Sequence, residues 1–320
     1  LKGFTMADPN YIDMFINAYT SGYMHLPQER RNVFDGKVSA TALTGEYMSF
    51  DDIASGDLQT KTTRFAAINP TDRAFRRRWM SPSWFYDALL VDKQDNIALH
   101  TDPSGDFMTS LTYAIERKKM DVNIAAFNAD VVAGKTPGAD TAYSLSNTVI
   151  SNAAGRTIPH DAKNDGSAGG ISTGLTVNKL VLIREKFATL GIPDGVPINL
   201  VTSFKQKSDL LREAEVQSTD TSDVKALVNG TISKYMGINF IETNKITLGT
   251  LNDIDADTGI YACYAWIPEG IKYAQFLSPS FKVTPRDDLV GDVWQIKVDF
   301  GCTAMRMNES MVLKVECANV

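Results

Sequence analysis

Three features that carry chemistry in many proteins are scarce in this 320-residue chain. Only three histidines occur, His25, His100 and His160, far apart and with no Cys or Asp/Glu at metal-ligand spacing, which argues against a zinc or iron centre. The three cysteines, Cys263, Cys302 and Cys317, all lie in the last quarter, on apolar or alternating stretches. An odd number so placed reads as buried reduced thiols, with a Cys302–Cys317 disulfide across a hairpin as the alternative. No run approaches the ~20 apolar residues that span a bilayer. The N-terminus lacks the apolar core of a signal peptide, which predicts a cytosolic product. Positive charge is also short: the net charge is −6, without the basic excess of a sequence-reading nucleic-acid binder. What is present is ordinary globular material, 43% hydrophobic and 22% charged.

No catalytic motif survives its context. Ala129-x-x-x-x-Gly134-Lys135-Thr136 fits a relaxed phosphate loop, but a predicted helix precedes it and Pro137-Gly138 follows, the reverse of what that chemistry needs. Asp253-x-Asp255-x-Asp257 resembles the start of a calcium loop, yet its glycine falls one place late and Tyr264 stands where a glutamate should be.

Periodicity divides the chain into unlike parts. Residues 1–30 read as an arm with a short helix through Ile12, Phe15, Ile16 and Tyr19. Residues of about 33 to 95 alternate short β-favouring runs, Val38–Leu43 and Thr62–Ile68, with Gly and Asp clusters. They predict a long two-stranded excursion without a core of its own. Its densest basic cluster is Arg73, Arg76, Arg77 and Arg78, set against Asp51, Asp52 and Asp57; ion pairing between strands or subunits accounts for it better than nucleic acid. Trp79, Trp84, Phe85 and Tyr86 would form an apolar patch needing cover.

The strongest helix follows, over about 104–134, capped by the turn at Asp102–Asp106 and ended by Gly134 and Pro137; at 1.5 Å per residue it would run about 40 Å. Residues 138–175 read as a connector. Residues 176–275 alternate helix and strand as a compact α/β unit, with strands at Ile198–Thr202, Ile238–Glu242 and Ile260–Ile267 and helices through Val177–Phe187, Ser208–Glu213 and Asp223–Val228. Residues 276–320 are strand-like: Val293–Phe300 and Met311–Glu316 alternate as half-buried antiparallel strands around a turn at Asn308-Glu309-Ser310.

This order of parts resembles that of the major capsid proteins of tailed bacteriophages with the Hong Kong ninety-seven fold. Soft local likenesses accompany it: Arg30-Arg31-Asn32-Val33, Asp92-x-x-Asp95, Tyr113-Ala114-x-x-Arg117-x-x-Asp121, Leu210-Leu211 before Val216–Asp220, and Gly230-x-Ile232 leading to Gly237–Phe240. The resemblance implies an α+β fold with an N-terminal arm (1–30), an extended two-stranded E-loop (31–100) and a long spine helix (101–137). A connector (138–175), an axial α/β domain (176–275) and C-terminal strands of a peripheral domain (276–320) complete it. It further implies a non-enzymatic, cofactor-free subunit that self-assembles as pentamers and hexamers into an icosahedral virion shell in the host bacterial cytoplasm. The implied partners are a portal protein, a scaffolding protein, a decoration protein and packaged double-stranded DNA, with no membrane. Arg73, Arg76, Arg77, Arg78, Trp79, Trp84, Phe85, Tyr86, Asp51, Asp52 and Asp57 are the candidates for contact between subunits, and Lys37 or Lys61 for a covalent crosslink. Net negative charge would keep DNA from adhering to the wall. Two alternatives share parts of this reading: an encapsulin-type compartment, and a nucleotide-dependent enzyme using Gly134-Lys135-Thr136.

Overall fold

Alternating strands of opposite burial need two layers, and this chain supplies them as two sheets joined by one helix. The computed structural model describes residues 29–92 (except 54–55, 66–67, 69 and 74), 104–136 (except 130 and 135), 156–213 (except 194), 234–246 and 259–319 (except 292). The helix expected near residues 12–19, that at Asp223–Val228, the acidic loop at 253–257 and His25 and His100 lie outside the described residues.

The larger sheet has six strands. They are β6 (Thr157–Ile158), β7 (Ile198–Thr202), β8 (Lys234–Tyr235), β9 (Ile238–Glu242), β10 (Ile260–Trp266) and β13 (Val312–Ala318), in the order β6-β13-β10-β7-β9-β8. Every residue of β7 is buried because both of its faces are covered. On one face α2 (Val177–Thr189) and α3 (Phe204–Arg212) pack Leu180, Ile183, Phe187 and Leu210 against Leu200, Ala265 and Val315. On the other, α1 (Ser104–Asn128) lays Met120, Ile124 and Phe127 on Val201, Tyr264 and Trp266. Phe127 stacks on Tyr264 with ring centroids 5.1 Å apart, and Phe34 joins it and Trp266. Trp266 donates from Nε1 to the Lys37 carbonyl, 2.9 Å, which satisfies the one polar atom of a fully buried indole.

The other end of α1 serves a second layer. β1 (Ser39–Ala42), β11 (Ile271–Pro285), β12 (Val293–Arg306) and β4 (Trp84–Asp92) form a four-stranded sheet in the order β1-β11-β12-β4. Leu111 and Ile115 of α1 fill the space under Val91, Ile296, Val298 and Phe300. At 25 residues, and thus about 37 Å, α1 is long enough to bind both sheets. It ends at Asn128, short of the expected stop, and Val132–Ala133 become a strand, β5, that continues a third, three-stranded sheet β2-β3-β5 with β2 (Met48–Ile53) and β3 (Phe75–Met80).

Three expectations are corrected. Residues 58–64 are irregular, without the strand read at Thr62–Ile68; β2 and β3 flank them instead. Trp84, Phe85 and Tyr86 belong to β4 of the four-stranded sheet and not to the excursion. The strands flanking Asn308–Ser310 do not pair with each other: β12 pairs with β11 and β4, whereas β13 crosses to β10 and β6. A single 3-10 turn at Glu309–Met311 thus passes the chain from one sheet to the other. Cys302 and Cys317 consequently lie in different sheets, and all three thiols are buried and free.

That crossing is held by buried charge. Arg78 of β3 is 1% exposed and forms a two-pronged pair with Glu309, Nη1 to Oε1 at 2.5 Å and Nη2 to Oε2 at 2.7 Å. Nη1 also donates to the Arg306 carbonyl. Arg306, fully buried at the end of β12, places Nε 3.7 Å from Glu309 and donates from Nη1 to the Phe127 carbonyl at the end of α1. Burial alone would raise the Glu309 pKa, but the hydrogen bonds and charge of Arg78 overcome this and hold it below the usual glutamate value.

Lys179 makes a second polar anchor. Its ammonium, on a 1% exposed residue of α2, donates to the carbonyls of His160 (3.1 Å), Thr173 (2.8 Å), Gly174 (2.9 Å) and Glu316 (2.9 Å). Residues 156–174, read from sequence as connector, are thereby strapped to β13, and burial lowers the lysine pKa.

Two predictions follow from these anchors. Glu309→Gln, which strips the charge opposing two buried guanidinium groups, should cost about 3–5 kcal/mol in denaturant unfolding. Because the folded pKa of Glu309 is depressed, its stabilisation is complete above the ordinary glutamate value of ~4.3 and is lost as pH falls through the folded value; the variant should lose that part of the acid transition. Lys179→Met keeps the apolar stem but removes the buried donor that four carbonyls share, and should lose at least about 2 kcal/mol in the same assay.

Candidate inter-subunit surfaces

The excursion is built on an antiparallel ladder in which Asp51 faces Arg77 and Asp52 faces Arg76. Like charges would repel at such opposed positions, and opposite ones attract. Arg77 takes up Asp51 with two hydrogen bonds, Nε to Oδ1 at 2.7 Å and Nη2 to Oδ2 at 2.8 Å, on the open face of the strands. That guanidinium holds the Asp51 carboxyl below its ordinary pKa. Arg77 also stacks over Trp79, whose Nε1 donates to the Gly134 carbonyl at 2.9 Å. Asp52 borders an open cleft of about 420 Å³ with Glu269 and Lys272.

The basic cluster therefore has no single role. Arg77 forms the inter-strand ion pair, Arg78 turns inward to Glu309, and Arg73 lays its guanidinium against Gly56 at the start of the opposite limb. The Arg76 side chain lies outside the described residues. Asp57 is exposed in the irregular limb. Arg78 was reachable from sequence only as one of four arginines; Glu309 and Arg306 were missed, since a glutamate in a turn 231 positions away reads as solvated.

Beyond Ile53 and Phe75 the limbs carry apolar side chains into solvent. Leu58, Phe65 and Ile68 are each at least 90% exposed, and Phe75 is 74% exposed. The base is the opposite: Met80 packs with Leu43, Val131, Ala274 and Met305. A second exposed patch lies on the outer face of β4, where Trp84, Tyr86 and Leu90 alternate with the inward Phe85, Leu89 and Val91. Trp84 meets Phe276 edge-on, centroids 4.7 Å apart. Phe276 reaches it by lying across Gly301, where any Cβ would collide with the ring.

The phosphate-loop likeness dissolves in this geometry. Gly134 follows β5, its N–H donates to the Arg77 carbonyl and its carbonyl accepts from Trp79, so its backbone is committed to the three-stranded sheet. Among the described residues no group of three His, Cys, Asp or Glu could hold a metal ion, and no helix is long and apolar enough to cross a membrane. Lys37 is half-buried beside Arg31, and Lys61 is exposed in the irregular limb.

Comparison with known proteins agrees with the architecture. The structure is similar to the capsid asymmetric unit of cyanophage Pam1, with TM-score 0.73 and 13% identity over 99% of each chain. It is similar to a chain from Mycobacterium phage Che8, with TM-score 0.61 and 14% identity over 94% of this chain and 97% of that one. It also resembles the capsid of a native GTA particle, with TM-score 0.63 and 13% identity over 99% of each chain. No curated protein matches the sequence significantly. These likenesses show the fold, the α+β Hong Kong ninety-seven-like fold of phage capsids. A family model described as phage capsid protein matches residues 12–319, almost the full length. The chain therefore belongs to the phage capsid protein family, as a structural subunit that associates with its own kind and not as an enzyme.

Proposed function

We propose that copies of this chain form pentamers and hexamers that close into an icosahedral shell around double-stranded DNA, each subunit laying its 48–80 excursion over a neighbour. The observation that carries this is the contrast along that excursion. Its base is locked into the subunit by Arg78 and Trp79, while its far end holds Leu58, Phe65, Ile68 and Phe75 in water. Such a concentration of apolar surface beyond a coreless pair of strands is costly in an isolated subunit and stabilising once covered. Many copies of one modest contact, repeated around closed symmetry, then hold a shell together.

In this reading 1–30 acts as arm, the excursion within 31–100 as E-loop with β1 and β4 on either side given to the four-stranded sheet, 101–137 as spine, 138–175 as connector, 176–275 as axial domain and 276–320 as peripheral strands. The last two share strands, because β13 returns to the six-stranded sheet. Scaffolding, portal and decoration proteins are the further partners, and assembly takes place in the host cytoplasm before residence in the virion. The net charge of −6 per subunit would make DNA a cargo held by enclosure and not by adhesion.

Negative-stain microscopy after size-exclusion chromatography tests the reading: closed shells, or rings of five and six subunits, are expected. A monomer that persists at high concentration with scaffolding protein present would overturn it. Phe65→Ser combined with Ile68→Ser should leave the unfolding transition unchanged, because neither side chain is buried, while abolishing shells under the same conditions.

A further inference from the structure

The two sheets treat their edges differently. Both edges of the six-stranded sheet are two-residue strands, β6 and β8, too short to template another chain. The four-stranded sheet ends instead in β4, a nine-residue strand with β12 on one side and no strand on the other among the described residues. Apart from Asp92, its last residue, the even-numbered positions Trp84, Tyr86, Ala88 and Leu90 include no charge and no proline, and Asp87 is the one charge inside the strand.

The parity of the ladder shows which backbone groups face outward. The Cys302 N–H donates to the Ser83 carbonyl, so the odd-numbered residues of β4 bond to β12 and the even-numbered ones point to the open edge. Ala88 agrees: its N–H is taken up by the neighbouring Asp87 carboxylate at 2.9 Å. Beneath this edge lies an apolar groove of about 390 Å³ between β4 and α1, lined by Phe85, Leu111, Ala114, Ile115 and Lys118.

We propose that β4 is a self-pairing edge: two copies of this chain join their β4 strands antiparallel about a two-fold axis through Ala88, merging two four-stranded sheets into one. The proposal rests on the self-association of capsid subunits. A second copy fits because the strand is complementary to itself in this register. Outward-facing groups meet outward-facing groups, all nine positions overlap, Tyr86 lies opposite the partner's Leu90 twice over, and Ala88 faces its own copy without a clash. Centring one residue earlier would set two Asp87 carboxylates face to face, which like charge forbids. The Asp87 carboxylate must leave the Ala88 N–H as the strands join, and Lys118 in the same groove can receive it.

The test uses Ala88→Cys in the full chain. Opposed residues of a hydrogen-bonded antiparallel pair have Cα atoms about 5.5 Å apart, within disulfide reach. Shells of this variant, treated with copper phenanthroline, should run as covalent dimers and nothing larger on non-reducing gels. The native cysteines are buried, so wild-type shells should stay monomeric. Shells that form without crosslinking would overturn the pairing while leaving the capsid reading intact; absence of shells in the wild type would fell that reading instead. Crosslinking of Ala88→Cys to Ser49→Cys, on the edge strand β2 of the excursion, would show that the excursion covers β4 and also overturn the proposal. Register is read by a charge pair: Tyr86→Lys with Leu90→Lys should cut shell yield on the order of ten-fold, and Tyr86→Lys with Leu90→Glu should restore it. Equal loss in both would exclude this register.

Discussion

Two guanidinium groups and one carboxylate, all withdrawn from water, meet where three parts of this subunit converge. Arg78 arrives from the base of the excursion, Arg306 from the end of the four-stranded sheet, and Glu309 from the turn that passes the chain to the six-stranded sheet. Arg306 in turn holds the Phe127 carbonyl in the last turn of α1. A buried ion pair is rarely a gain in stability over apolar packing, since desolvation consumes most of the attraction. Its strength lies in direction: a two-pronged arginine–carboxylate pair fixes the relative orientation of what it joins. Apolar contacts among Leu43, Met80, Val131 and Met305 fill the space around it but would tolerate sliding.

That constraint explains how one helix can serve two layers. The N-terminal half of α1 packs on β4 and β12, and its C-terminal half on β7, β10 and β13. A helix shared in this way transmits any displacement of one sheet to the other, unless its far end is fixed. The Phe127 carbonyl, bound by Arg306, fixes it at the place where the excursion is also held. Arg78 and Arg306 thereby tie the excursion, the two sheets and α1 to one another at a single point.

Much of this was legible in the sequence because it depends on local periodicity. The strands Ile198–Thr202 and Ile238–Glu242 appear with the boundaries that their β-branched runs indicate. The spine was legible from its apolar stripe, although its end was not: Val131 is drawn into the core at the base of the excursion and Val132–Ala133 into pairing with β3, a tertiary contact that outweighs helical continuation. What periodicity could not convey was pairing. The alternation in Met311–Glu316 marks a strand but not its sheet, and β13 left its sequence neighbour β12 for β10, where Val315 and Leu313 complete a core already lined by Leu200 and Ala265. Arg78 was visible only as one of four arginines, since alternation puts Arg77 and Arg78 on opposite faces without saying which face is buried.

The surface candidates divide on the same principle. Trp84, Phe85 and Tyr86 looked like one aromatic patch, but a strand sends successive side chains to opposite faces, so Phe85 is spent on the subunit's own core beside Lys118 while Trp84 and Tyr86 are left outside. A side chain consumed internally cannot recruit a neighbour, and one left in water at the end of a rigid element can do little else. By that criterion Arg78 and Phe85 build the subunit. Leu58, Phe65, Ile68, Trp84 and Tyr86 stay exposed, and under the proposed assembly they are what it offers another copy. On the proposed reading, the function of this subunit resides in the side chains whose burial its own fold leaves incomplete and assembly completes.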